Sequence, residues 1–217
     1  MDKIQEYRKM IAEYGAEIYQ RNLTDCSGAN ISVRVDDKIL MTATKAGELW
    51  HWHIRPEQVL ILDLKGNKLE GDGDVSREVK VHLALLTEFY PEGTAVMHAH
   101  ARNVLVFCAA EKPMPPVLYE TSKFGVIEQC KDAASGTDEL AINVAEKIRE
   151  KGGVKTVKAA ACMAPRHGLF VLARTLPDAF MVTERIDTNA YCLLMGKTLG
   201  EMTPMMGESE AHKKYDK

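Results

Sequence analysis

Apolar residues at Ile4, Tyr7, Ile11, Tyr14 and Ile18 recur every three or four positions, which predicts an amphipathic helix over residues 2–20. Residues 24–30 break that period with small and polar side chains and read as a loop. From Ile31 the pattern alternates, predicting a strand over 31–35, a tight turn at Asp36-Asp37 and a second strand over 38–42. Residues 59–64 and 68–70, joined by Lys65-Gly66-Asn67, form a predicted hairpin. The helical period returns over 74–90, where Val79, Leu83 and Leu86 supply the apolar stripe. Ser76 is its expected N-cap and Pro91 its stop.

Gly93-Thr94-Ala95-Val96-Met97-His98-Ala99-His100 reads as a short buried strand, and 101–111 as a helix. Pro113, Pro115 and Pro116 then forbid regular structure. A helix over 137–151 ends at Gly152-Gly153. Two apolar strands, 158–163 and 168–173, flank a turn holding Pro165, Arg166 and His167. A helix over 176–196 follows, and the tail from about 198 reads as frayed. No repeat, linker or low-complexity segment divides the chain. Strands and helices interleave around one sheet with helices on its faces, an α/β pattern of one domain over 1–217.

Composition narrows the picture. A chain of 217 residues can bury a substantial core. Lys+Arg 28 against Asp+Glu 31 gives a net charge of −3 with no long run of one sign, so bulk charge favours neither nucleic acid nor an anionic membrane. Five cysteines lie far apart without a C-x-x-C, a pattern that suits reduced thiols better than a disulfide framework. The start reads as a charged helix rather than a signal peptide, and no apolar stretch reaches membrane-spanning length. The expectation is a soluble cytoplasmic protein.

Candidate chemistry begins at His98 and His100. Side chains two apart on a strand share a face, so these two imidazoles can converge on one ion. A third nitrogen from a distant segment would complete a metal site with an open position. The pair alone is weak evidence, because polar residues at strand ends are common. Glu78, in the expected first helical turn, reads by itself as a residue that stabilises the helix dipole. His82, four positions on, reads as structural. His51 and His53 flank Trp52 in a turn before Pro56 with no third ligand near them, and are expected to be metal-free. His212, in the polar tail, carries no assignment.

Five separated motifs change those odds: Asn30-Ile31-Ser32-Val33-Arg34, Thr42-Ala43-Thr44-Lys45, Ser76-Arg77-Glu78, His98-Ala99-His100 and Arg166-His167-Gly168. Their order, types and spacing resemble the class II aldolase/adducin family over roughly residues 5–197. The resemblance implies a single α/β domain with a central, mainly antiparallel sheet flanked by helices. It implies one zinc ion per subunit, or another divalent metal, held by His98, His100 and His167, with Glu78 as acid/base. The implied reaction is retro-aldol cleavage of a ketose 1-phosphate, such as L-fuculose 1-phosphate, to dihydroxyacetone phosphate and an aldehyde. The metal would serve as Lewis acid for the charge developing on the carbonyl, and Glu78 would move the proton.

The same resemblance assigns substrate phosphate to Asn30, Thr44 and Ser76, with Lys45 standing where the family has glycine and Arg77 where it has a second serine. Two cations there would either strengthen phosphate binding or adapt the pocket to another acid group. Tyr119, 21 residues after His98, stands at the offset of a family active-site tyrosine, although a core or surface tyrosine fits it equally well. Tyr215 is the only candidate for a C-terminal tyrosine lent to a neighbouring subunit, and a homotetramer of fourfold symmetry is implied. Three rivals share the scaffold: a sugar-phosphate 4-epimerase, which usually carries aspartate at the Glu78 position, a dehydratase and a decarboxylase. A non-catalytic adducin-like interaction domain is the remaining alternative, and such domains lose the metal ligands.

Overall fold

Asp2 accepts the backbone N–H of Ile4 at 3.1 Å and so caps helix α1 (Lys3–Gln20) in the computed structural model, which describes residues 2–155 and 157–200. Next come β1 (Asn30–Val35), β2 (Lys38–Thr42), α2 (Ala46–Trp50), β3 (Val59–Asp63) and β4 (Lys68–Glu70). The middle of the chain forms α3 (Val79–Glu88), β5 (Ala95–Ala99), α4 (Arg102–Ala110) and α5 (Tyr119–Ser122). The last elements are α6 (Asp138–Glu150), β6 (Ala159–Ala164), β7 (Gly168–Ala173) and α7 (Leu176–Gly196). Tyr215 and His212 lie outside the described residues.

One seven-stranded sheet, in the order β4-β3-β2-β1-β5-β7-β6, carries the domain, and every neighbouring pair is antiparallel. Helices α1, α4 and α7 close one face over Ile11, Ile18, Val33, Met97, Val171 and Ile186. Helices α3 and α6 close the other over Leu60, Leu85, Val96, Val144 and Phe170. This is the single-domain architecture implied by the sequence. With both faces covered, every residue of β5, β6 and β7 is buried. Such strands read as continuous apolar runs instead of alternating. No helix among the described residues is long and apolar enough to cross a membrane.

One local expectation needs correction. The helix predicted from residue 74 starts at Val79, because Ser76 is not its cap: the Ser76 hydroxyl accepts the Glu78 N–H at 3.2 Å and the Asn30 amide at 3.3 Å, holding 76–78 as a turn against β1. Glu78 therefore precedes the first helical turn. Helix α2 has no periodic signature, being one five-residue turn flanked by Lys45 and His51, both in the left-handed region at φ 58° and 50°. The stretch Pro113–Pro116 forms no helix or strand, only an isolated bridge from Met114 to Ile127, and the short α5 follows it.

Antiparallel order decides where the chemistry gathers. Strand starts and ends alternate along one edge of such a sheet, so the start of β1, the ends of β2 and β5 and the start of β7 lie together. Asn30 pairs with His98, and Ala99 with Leu169. The turn before β7 thus brings His167 to the His98-Ala99-His100 segment, and the approach to α3 closes over them from one face.

Candidate active site

His98 is 1 % exposed, and its Nδ1 lies 3.0 Å from the Leu169 carbonyl oxygen, which can only accept. Nδ1 therefore carries the proton, and Nε2 is left with a bare lone pair. That lone pair meets His100 Nε2 at 3.1 Å. On its far side His100 Nδ1 faces the Asp25 carboxylate at 3.8 Å, so the same tautomer is favoured there. Two lone pairs face one another across this gap. Neutral rings in that arrangement repel unless a cation lies between them.

His167 completes the cluster: one ligand atom from each of His98, His100 and His167 falls within 4.8 Å of the others, and the ring centroids are 4.8–5.7 Å apart. His167 Nδ1 is buried without a hydrogen-bond partner among the described residues. Two nitrogens bound tetrahedrally to one zinc lie about 3.3 Å apart, close to the spacing of the first pair. An orphaned ring nitrogen, facing lone pairs and a neutral three-imidazole donor set all fit a divalent cation.

Burial keeps the donor set neutral. It pushes His98 well below the usual histidine value, helped by the neighbouring His100 and His167. Burial also lowers His100, with Asp25 opposing, and lowers His167, with Glu78 opposing. Burial acts on Asp25 in the opposite sense, but the N–H groups of Ser27 and Gly28, at 2.8 and 2.7 Å, leave its carboxyl below the usual range.

Glu78 is 6 % exposed, and its Oε1 stands 3.9 Å from His167 Nε2. The same oxygen accepts the Ser135 hydroxyl, while Oε2 is buried with no partner among the described residues. A carboxylate oxygen in that state is free to exchange a proton with whatever enters beside it.

The three histidines and Glu78 share one cavity of about 290 Å³ with Ser27, Asn30, Thr44, Lys45, Ser76, Arg77 and Ser135. Lys45 and Arg77 are exposed at this cavity and have no ion-pair partner among the described residues. Two glycines make the packing possible. A Cβ on Gly28 would lie 2.1 Å from His100 Nδ1, and one on Gly168 would lie 2.7 Å from the Ala99 oxygen and 2.9 Å from His98 Cε1.

Other expected positions fall elsewhere. Tyr119 opens α5, is half-buried and does not line this cavity within the chain. His51 and His53 are exposed in the turn after α2, where His53 Nδ1 meets the His51 carbonyl at 2.9 Å and Trp52 is buried between them. Two contributors went unread in the sequence. Asp25 was legible only as an Asx turn in Asp25-Cys26-Ser27-Gly28, a common loop device. Ser135 carries no local signal at all.

Comparison with known proteins bears on the family and the fold. Residues 9–194 match the family described as Class II Aldolase and Adducin N-terminal domain. A 5-deoxy-D-ribulose 1-phosphate aldolase of Bacillus thuringiensis serovar kurstaki is 27 % identical over 199 residues, covering 91 % of this chain and 89 % of its own. A 3-oxo-tetronate 4-phosphate decarboxylase of Haemophilus influenzae is 24 % identical over 206 residues, covering 90 % and 91 %. Among solved structures, an L-fuculose 1-phosphate aldolase superposes with a TM-score of 0.79 at 22 % identity, covering 96 % of this chain and 92 % of that one. With the family match spanning residues 9–194 and the fold shared, the chain belongs to the class II aldolase and adducin family.

Proposed function

We propose that this protein is a metal-dependent aldehyde-lyase that cleaves a ketose 1-phosphate to dihydroxyacetone phosphate and an aldehyde. The observation that carries this reading is the convergence of three neutral imidazoles beside a buried carboxylate with a free oxygen, inside a cavity rimmed by two unpaired cations. His98, His100 and His167 would hold one zinc ion. When bound, such an ion supplies Lewis-acid charge where negative charge builds up on the substrate carbonyl oxygen.

The remaining steps belong to the chain. Asn30, Thr44, Ser76, Lys45 and Arg77 bind the phosphate, which fixes the sugar with its reacting carbons toward Glu78. Glu78 takes the proton of the C4 hydroxyl as the C3–C4 bond breaks and the electron pair moves onto the ketone. The aldehyde leaves, and the same carboxyl returns the proton to C3. Ser135 anchors Oε1, so Oε2 is the oxygen that handles the proton. Tyr119 has no part in this chain's own cavity, and its proposed catalytic role would require a neighbouring copy in a homotetramer.

A second reading, decarboxylation of a 3-oxo sugar-acid phosphate, is favoured by Lys45 and Arg77, which suit a substrate of higher negative charge, and by the decarboxylase relative. Incubation with ketose 1-phosphates and sugar-acid phosphates, with dihydroxyacetone phosphate and carbon dioxide read separately, tests both. Dihydroxyacetone phosphate released from a ketose 1-phosphate without carbon dioxide supports the lyase. Carbon dioxide released from a sugar-acid phosphate supports the decarboxylase, and a four-carbon 3-oxo acid 4-phosphate then leaves dihydroxyacetone phosphate as the co-product. Protein that carries no stoichiometric metal and turns over neither panel would defeat both.

A further inference from the structure

Ser76 Oγ receives two donors at once, the Asn30 amide at 3.3 Å and the Glu78 N–H at 3.2 Å. A hydroxyl has two acceptor lone pairs and one proton. With both lone pairs engaged, the proton must point elsewhere, and no acceptor takes it among the described residues. Ser76 lines the cavity, so that proton is offered to whatever binds there.

The direction of this donor is set from behind. His82 is 0 % exposed, with Nε2 2.7 Å from Asn30 Oδ1 and Nδ1 2.5 Å from Ser32 Oγ. Two polarities are possible for such a chain. In one, Ser32 donates to His82, His82 to Asn30, and Asn30 to Ser76. In the other every bond is reversed, and Ser76 spends its proton on Asn30. The reversed polarity leaves the Ser32 proton, also 0 % exposed, with no acceptor among the described residues, an orphan that is costly to bury. The first polarity therefore holds, and each bond along it polarises the next. Burial lowers His82 to about 3, so the ring stays neutral and protonation does not reverse the chain near neutral pH.

We propose that His82 is a positioning residue for the anion subsite: by fixing the Asn30 amide it makes Ser76 an obligate donor to a phosphate oxygen. This rests on reading the cavity as a phosphate site. The network spans α3, β1 and the turn before α3, and His82 touches none of the proposed metal ligands through a hydrogen bond.

The test is calorimetric titration of inorganic phosphate into metal-loaded protein, with metal content and thermal midpoint measured on every variant. Ser76→Ala and His82→Asn are expected to weaken phosphate binding about tenfold or more, the usual effect of losing or misdirecting one hydrogen bond to a charged group. His82→Gln, whose amide nitrogen reaches the Nε2 position, should restore binding to within about threefold of wild type. If His82→Asn does not fold, Ser32→Ala reads the same chain by removing the donor that fixes the tautomer, and should also weaken binding. A purely structural histidine would lower the thermal midpoint in both His82 variants and leave phosphate affinity unmoved. Weakening in Ser76→Ala with unchanged affinity in His82→Asn or Ser32→Ala would overturn this inference and leave the cavity reading standing, as would equal weakening in His82→Gln and His82→Asn. Fully metallated wild type that binds no phosphate would overturn both.

Discussion

His82 and His98 are both fully enclosed, both lowered in pKa by burial, and both neighbours of Asn30, one through its side chain and one through the strand register. They differ in what their nitrogens meet. Around His82 each nitrogen has a partner of matching polarity, Ser32 on one side and Asn30 on the other. Around His98 only Nδ1 is satisfied, and Nε2 faces another nitrogen that also offers a lone pair. Burial and a depressed pKa therefore do not separate a scaffold histidine from a ligand. Completeness of hydrogen bonding does, because a buried group left unsatisfied is costly and persists where something else completes it.

The comparison breaks most sharply if the His98 region is emptied. His98→Ala should reduce bound metal below stoichiometry and take activity to background, whereas His82→Gln should keep full metal. Elemental analysis of both proteins decides it, and a His98→Ala enzyme with one tightly held ion per chain would show that the cluster is not the metal site.

Glu78→Gln comes next. The amide keeps the size of the side chain but does not accept the proton, so turnover should fall about 10²–10⁴-fold while metal is retained. A helix-start role alone would cost a few tenths of a kcal/mol and leave turnover intact, at the low end of dipole effects. Normal turnover by a metallated Glu78→Gln protein would remove Glu78 from the chemistry.

Asp25→Asn should act more gently, through the orientation and basicity of His100. Partners of this kind typically change metal affinity by about 10–100-fold. Competition against a chelator measures the shift. An unchanged affinity would mean that Asp25 only braces the Ser27 and Gly28 backbone.

The smallest effect per step is in acid. A folded-state pKa below the unfolded histidine value means that the unfolded chain binds more protons as pH falls under about 6.5. Stability from His82 and His98 is thus complete above about pH 6.5 and is lost on acidification, for His82 down to about pH 3. Each histidine contributes a slope of about 1.4 kcal/mol per pH unit across its window. Denaturant titrations of metal-free protein at pH 7 and pH 5 should show lower stability at pH 5, less so in His82→Gln. Equal slopes in wild type and His82→Gln would mean that His82 is solvated or charged in the fold.

Element type and order were legible where a period ran long enough. Helices α1, α6 and α7 announced themselves by apolar spacing, and the caps at Asp2, Thr137 and Thr175 lie where the pattern begins. The β6–β7 hairpin and the His98 strand were legible as apolar runs. The helix start at 74 was misread because Ser76, a good cap by type, is engaged by Asn30 across the fold. Nothing local separates a serine that caps a helix from one that accepts an amide from residue 30.

By itself the sequence determined the α/β class, the five motifs, and the nearness of His98 to His100, since these follow from local periodicity and residue type, although β5 ends at Ala99 and leaves His100 just past the strand. Tertiary structure alone decided which lone pairs face one another, that Glu78 keeps one oxygen free, that Asp25 and Ser135 reach the site, and that His82 lies behind Asn30. The reason is distance along the chain: those contacts join residues tens of positions apart, and their register comes from the antiparallel sheet, not from any local pattern.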